Sequence, residues 1–257
     1  LELDTGVTRD GVVVIAHDPV LNPDFTRDPQ GAWLQSKRPA LHALSFAELQ
    51  TYDVGRMDPK SAYAKRFSEQ RPIDGTRIPA LAALFEAVAS RGDFRTRFNI
   101  ETKISPLEPG QTLEPEPFVR AVLGLIRQHG LTHRASLQSF DWRTLKIAQQ
   151  IAPDIPTVYL SAQQKFLDNI EAANPNGSAW TAELRFQDHG SVPRMVKAAG
   201  GAVWSPYYGD VSAALIAESH ALGITVVVWT VNEPKDIERM LDWKADGIIS
   251  DYPARVI

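Results

Sequence analysis

The stretch GAVWSPYYGDVSAALIAESHALGITVVVWTV, residues 201–231, holds a complete strand–helix–strand pattern. Gly201–Trp204 is a short β-rich run, Val211–Leu222 has helical character, and Ile224–Val231 is nearly continuous in apolar residues. A strand that is apolar along its whole length, rather than at alternate positions, is covered on both faces, as in a parallel sheet flanked by helices. Two strands joined through a helix in this way form a right-handed βαβ unit.

The same alternation runs outward in both directions. Further strands are expected at Val12–Ala16, Phe98–Lys103, Ala135–Ser139, Thr157–Leu160 and Gly247–Ser250. Helices are expected at Ser45–Thr51, Pro79–Ser90, Glu116–His129, Trp142–Ile151, Ala162–Ala173, Ser191–Ala199 and Pro234–Trp243. Within Phe118–Ile126 the apolar positions recur at spacings of three and four, as a helix packed on a sheet requires. With Glu2–Thr5 as a strand and residues 12–16 as its hairpin return, the pattern predicts seven parallel barrel strands. One more strand upstream of Leu1 would close an eight-stranded α/β barrel. The reading is of a single domain over residues 1–257. Residues 53–78 are polar and rich in Arg, Lys, Pro and Gly, and are expected as a surface insertion or cap. Residues 104–115, with Pro106, Pro109 and Pro115, form a loop after a strand end, where barrels keep their active-site loops.

Composition narrows the function. The formal net charge of -4 gives no reason to expect a nucleic-acid partner. No apolar run approaches the roughly 18 residues of a membrane span, so stable membrane insertion is not expected. Cysteine is absent, which excludes disulfides, thiolate metal sites and a cysteine nucleophile. That absence, with the polar insertion, favours a periplasmic or secreted setting over a cytoplasmic one. The oligomeric state is not legible.

Carboxylates carry the first chemical signal. Residues two apart on a strand share a face, so Glu2 and Asp4 project together, as do Glu101 and Lys103, with Ile100 and Thr102 on the other side. Each carboxylate alone reads more readily as a strand-end group in an ordinary salt bridge. Converging carboxylates would repel one another, a conflict that a divalent cation removes, and an all-oxygen set favours Mg²⁺ or Ca²⁺. His17 follows the apolar run Val13-Val14-Ile15-Ala16 directly, where barrel enzymes place catalytic groups, and imidazole exchanges protons near neutral pH. Asp18 either orients that ring or caps the turn before Pro19. His42, His129, His133, His189 and His220 fall in helices or polar loops and read as surface residues.

Taken together, the runs Leu1-Glu2-Leu3-Asp4-Thr5, Thr8-Arg9-Asp10-Gly11 and Val13-Val14-Ile15-Ala16-His17-Asp18 resemble the signature of the glycerophosphodiester phosphodiesterases. The resemblance continues through Ile78-Pro79-Ala80-Leu81, Asn99-Ile100-Glu101-Thr102-Lys103 and Gln138-Ser139-Phe140-Asp141. It ends with Val228-Trp229-Thr230-Val231-Asn232 and Asp246-Gly247-Ile248-Ile249-Ser250-Asp251-Tyr252-Pro253. The family pattern opens with a strand leading to His-Arg-Gly, which this sequence does not contain and which is expected just upstream of Leu1.

The resemblance implies a TIM barrel that hydrolyses small glycerophosphodiesters to an alcohol and sn-glycerol 3-phosphate. It implies that Glu2, Asp4 and Glu101 bind one divalent cation and that His17 is the general acid for the departing alkoxide. The upstream histidine would be the base, acting on water or on the substrate's own glycerol hydroxyl. Lys103 would add positive charge beside the phosphate, or simply pair with Glu101. Trp229 and Phe140 would pack against the substrate, or serve the core. Tyr52 and Arg56 belong with the possible cap, and Gln138 is a weaker candidate. Alternatives are a lysophospholipase D or sphingomyelinase-D-like enzyme on the same scaffold, and a non-catalytic barrel that only binds.

Overall fold

A computed structural model describes residues 1–256. The chain divides into two compact units. The first comprises Leu1, Leu3–Ile104 and Glu108–Arg134, and the second comprises Glu2, Ser105–Leu107 and Ala135–Ile257.

The first unit opens with β1 (Glu2–Val7) and β2 (Val13–Ile15), which pair antiparallel with Thr5 opposite Ile15 and Val7 opposite Val13. Thr8-Arg9-Asp10-Gly11 closes this hairpin. Gly11 sits at φ 85°, in the left-handed region that glycine enters without steric cost. Asp10 accepts from the Thr8 hydroxyl at 2.6 Å and from the Phe46 N–H at 2.9 Å, which ties the turn to α1 (Phe46–Leu49). That one-turn helix forms because Ser45 and Glu48 make a reciprocal capping box at its start. After α2 (Ala62–Arg66) and α3 (Leu81–Ser90) comes β3 (Phe98–Thr102), which lies beside β1 in the order β3-β1-β2. The Asn99 N–H donates to Leu1 O at 2.8 Å, and the Thr5 hydroxyl to Glu101 O at 2.6 Å, so β1 and β3 are locked in register.

Helix α4 (Pro115–Gln128) starts on Pro115, whose missing N–H costs nothing at a first helical position. It buries Phe118, Val119, Val122, Leu123 and Ile126 on one face, each contributing roughly 2 kcal/mol relative to exposure. The insertion at residues 53–78 contains α2 and closes on itself at Gly55, whose O accepts the Ile73 N–H at 2.7 Å and where Ile73 O leaves no room for a Cβ. Tyr63 of α2 packs between Phe25 and Phe67, with ring centroids 5.6 and 5.0 Å away.

In the second unit the parallel strands alternate with helices as expected. The elements are β4 (Ala135–Ser139), α5 (Trp142–Ile151) and β5 (Thr157–Ser161), then the short β6 (Gln163–Gln164) and β7 (Leu167–Asp168). There follow α6 (Phe186–His189), α7 (Val192–Ala198), β8 (Val203–Pro206), α8 (Ala213–Ala221), β9 (Thr225–Val228), α9 (Pro234–Asp242) and β10 (Gly247–Ile248). The strand order is β10-β9-β8-β5-β4, parallel throughout, with Leu137 opposite Thr157, Val158 opposite Val203 and Val203 opposite Thr225. Every residue of β5 is buried, the mark of a strand covered on both faces.

The expected helix at Ala162–Ala173 does not form. The segment is instead the antiparallel β6–β7 hairpin, followed by Asn169, which is fully buried. Asn169 accepts from the Ala162 N–H at 2.9 Å and donates to Phe140 O and Leu160 O at 3.1 Å each. Satisfying three backbone groups at strand ends outweighs the helix preference of Ala, Gln, Lys and Leu, which is favourable but small per residue. Among the described residues no helix is long and apolar enough to cross a membrane.

Candidate active site

Five of the residues singled out in the sequence converge around β1 and β3. On β1, Leu3 and Thr5 turn into the core while Asp4 is half-buried and Glu2 exposed. On β3, Ile100 and Thr102 are fully buried on one side, and Glu101, itself 4% exposed, shares the other with Lys103. Glu2, Asp4 and Glu101 each offer a carboxylate oxygen within 4.8 Å of the others. The Lys103 ammonium lies 3.1 Å from Asp4 Oδ1 and 3.4 Å from Glu101 Oε1.

His17 arrives at this cluster from β2. The Ala16 N–H donates to Asp4 O at 3.0 Å, which fixes the backbone one residue before the histidine. The imidazole Nε2 then faces Lys103 Nζ at 3.3 Å, and Nδ1 lies 2.7 Å from Asp18 Oδ1. Of the two sequence readings of Asp18, this bond favours orientation of the ring. The other Asp18 oxygen accepts from Asn22 Nδ2 at 2.7 Å, and Lys37 Nζ is 3.9 Å away.

Electrostatics follow from these neighbours. Burial works against the charge on Lys103, but the Glu101 and Asp4 carboxylates outweigh it and raise its pKa well above the ordinary lysine value. Burial likewise works against the Asp18 carboxylate, yet the bonds from His17 and Asn22 prevail and hold its pKa below the usual range. Three carboxylates and one ammonium give the cluster two more negative than positive charges. An all-oxygen set with that balance matches one hard divalent cation in both donor type and charge.

Gln138, a minor candidate in the sequence, reaches from the end of β4 to donate to Glu2 Oε1 at 2.5 Å. Asn22 gave no signal of its own, because its reach back to Asp18 comes from a turn rather than a strand or helix period. Phe140 and Trp229 are brought together in the second unit, immediately after the ends of β4 and β9, with ring centroids 5.3 Å apart and edge to face. Phe140 is buried at 9% exposure, and Trp229 is half-buried, donating Nε1 to Ser205 O at 2.9 Å. Tyr207, which the sequence reading passed over, follows β8 and stands 5.4 Å from Trp229. Tyr52 packs on the first unit's core with Val14, Leu21 and Leu49, and Arg56 pairs with Asp74.

The remaining histidines are less uniform than expected. His133 and His220 are exposed, but His42, His129 and His189 are half-buried. The His129 ring packs 5.4 Å from Phe85, and His42 Nδ1 is buried without a hydrogen-bond partner. His189 ends the four-residue α6, where one turn leaves little surface on which to hold a ring clear, and His129 follows α4 directly, against Phe85.

Residues 1–255 match the model of the glycerophosphoryl diester phosphodiesterase family. A glycerophosphodiester phosphodiesterase of Bacillus subtilis is 24% identical over 257 residues, covering 98% of this chain and 73% of its own length. The crystal structure of a provisionally named glycerophosphoryl diester phosphodiesterase from Silicibacter pomeroyi superposes with a TM-score of 0.84 at 36% identity. It covers 100% of this chain and 81% of that one. A phosphodiesterase of Oleispira antarctica, solved with the product sn-glycerol-3-phosphate, shares the fold at a TM-score of 0.68 and 20% identity over 99% of this chain and 82% of that one. The chain belongs to the glycerophosphoryl diester phosphodiesterase family, and its α/β architecture is the TIM-barrel fold of that family. It is a phosphodiesterase.

Proposed function

We propose that this protein hydrolyses small glycerophosphodiesters to an alcohol and sn-glycerol 3-phosphate, using one divalent cation, Mg²⁺ or Ca²⁺. The observation that carries the reading is the meeting of Glu2, Asp4 and Glu101 within 4.8 Å, with Lys103 and His17 beside them. The product named in the Oleispira antarctica complex is the one this reaction releases, which supports the same substrate class.

In this reading Glu2, Asp4 and Glu101 hold the cation, which when bound offsets charge on the phosphate oxygens. Gln138 keeps the Glu2 carboxylate turned inward. Lys103, largely buried between Asp4 and Glu101, contributes a fixed positive charge to a phosphate oxygen as a point donor. His17 donates the Nε2 proton to the leaving alkoxide oxygen, while Asp18 holds Nδ1 and so fixes which edge of the ring faces the substrate. The attacking group is water or the substrate's own glycerol hydroxyl.

The test is ³¹P NMR of the products formed from glycerophosphocholine by the full-length protein and its His17→Ala variant. The expected product is sn-glycerol 3-phosphate, formed by the wild type and lost in the variant. Phosphocholine as product would contradict the reading. Turnover of lysophosphatidylcholine alone would replace it with the lysophospholipase D alternative.

A further inference from the structure

We propose that Asn22 is a positioning residue for proton transfer, fixing the His17 imidazole through Asp18. This rests on the reading of His17 as the general acid. Asn22 is 6% exposed, and both ends of its side-chain amide are engaged. Its Oδ1 accepts the Asp24 N–H at 2.9 Å, closing a local turn that sets the amide plane. Nδ2 is thereby aimed at Asp18 Oδ2, to which it donates at 2.7 Å. The other oxygen of the same carboxylate meets His17 Nδ1 at 2.7 Å.

A carboxylate anchored through both oxygens cannot swing about its terminal bond without breaking one of them. The imidazole needs that restraint. Its side chain is 61% exposed and follows a three-residue strand, so little packing holds it. Lys37 Nζ, 3.9 Å from Asp18 Oδ2 on a side chain 64% exposed, adds charge but little direction. The turn that carries Asn22 is itself pinned. Asp24 O accepts the Asp58 N–H at 2.7 Å, the Leu21 N–H donates to Pro39 O at 2.9 Å, and Phe25 packs on Tyr63. A line of contacts therefore runs from the 53–78 insertion through Asn22 and Asp18 to the proton-donating ring.

The leaving group separates this role from a purely structural one. p-Nitrophenolate departs without a proton, whereas choline needs one, so a defect in placing the acid slows only the second. Asn22→Asp keeps the acceptor for the Asp24 N–H but removes the donor to Asp18, and Asn22→Ala removes both. In the full-length protein both variants are expected to lower kcat on glycerophosphocholine by roughly 10- to 100-fold, the scale of a misplaced catalytic group, with KM within about 2-fold. On glycerophospho-p-nitrophenol both remain near wild type, and His17→Ala shows the same selectivity. Equal losses on the two substrates, or full activity of Asn22→Asp on glycerophosphocholine, would overturn the proposal. His17→Ala without leaving-group selectivity would instead remove the reading of His17 on which it rests.

Discussion

Nζ of Lys103 stands 3.1 Å from Oδ1 of Asp4, a residue 99 positions earlier in the chain. The contact exists because β1 and β3 are neighbours and both present their polar face on the same side. It places a permanent cation against carboxylates that the proposed metal would also neutralise. Lys103→Met should therefore act on both. On glycerophosphocholine we expect kcat/KM to fall about 100-fold, the usual scale for losing one charge-stabilising donor. In EDTA the variant should lose about 2 kcal/mol of stability, because mostly buried carboxylates lose a charged partner. Saturating Mg²⁺ or Ca²⁺ should close most of that gap. Thermal melts with and without metal check this, and a gap unchanged by metal would separate Lys103 from the cation site.

Asp74 clamps the 53–78 insertion. Its carboxylate accepts from Arg56 Nη2 at 2.8 Å and from Arg27 Nη2 at 2.6 Å, and Arg27 also bonds Asp53. The Arg56 bonds, followed by those from Arg27, hold the Asp74 carboxyl well below its usual pKa, against a smaller opposing effect of desolvation. A depressed folded-state pKa gives stability that is present above the ordinary carboxylate pKa and is lost as pH falls through the lowered value. Asp74→Asn should raise amide exchange across residues 53–78 at neutral pH. The difference from wild type should shrink as pH drops below the ordinary carboxylate range. Hydrogen exchange with mass spectrometry reads both, and equal exchange at neutral pH would show that the clamp contributes nothing.

Trp142 anchors the second unit. It is 1% exposed, donates Nε1 to Leu160 O at 3.1 Å, and meets Tyr159 edge-on at 5.0 Å. Trp142→Ala should cost about 3–5 kcal/mol, combining lost transfer energy with an unfilled cavity. Urea unfolding should show a lower midpoint at an unchanged slope. A loss below about 1 kcal/mol would mean that the site collapses around the deletion.

The elements legible in the sequence were those with a period of their own. The limits of Ala135–Ser139 and Trp142–Ile151 agree with the structure, and Glu116–His129 shifts by one residue. Strand faces were equally readable, which paired Glu2 with Asp4 and Glu101 with Lys103, while the resemblance joined the two pairs. The 162–173 segment was not legible, because a buried Asn169 bonded to two other strand ends overrides local preference. Asn22 escaped notice for a related reason. Its function depends on a turn geometry set by Pro39, Asp58 and Tyr63, none adjacent in sequence. Gln138 could be named but not assigned, since its partner Glu2 lies 136 positions away.

The most direct measurement is release of sn-glycerol 3-phosphate from glycerophosphocholine by the full-length protein before and after EDTA, followed by titration with Mg²⁺ or Ca²⁺. Glu101→Gln is measured alongside, because Glu101 is the most buried of the three carboxylates. Release that EDTA abolishes, that one of these ions restores in the wild type, and that Glu101→Gln recovers only at much higher ion concentration is the expected result. Release that persists through EDTA with Glu101→Gln unaffected would contradict the role assigned to Glu2, Asp4 and Glu101.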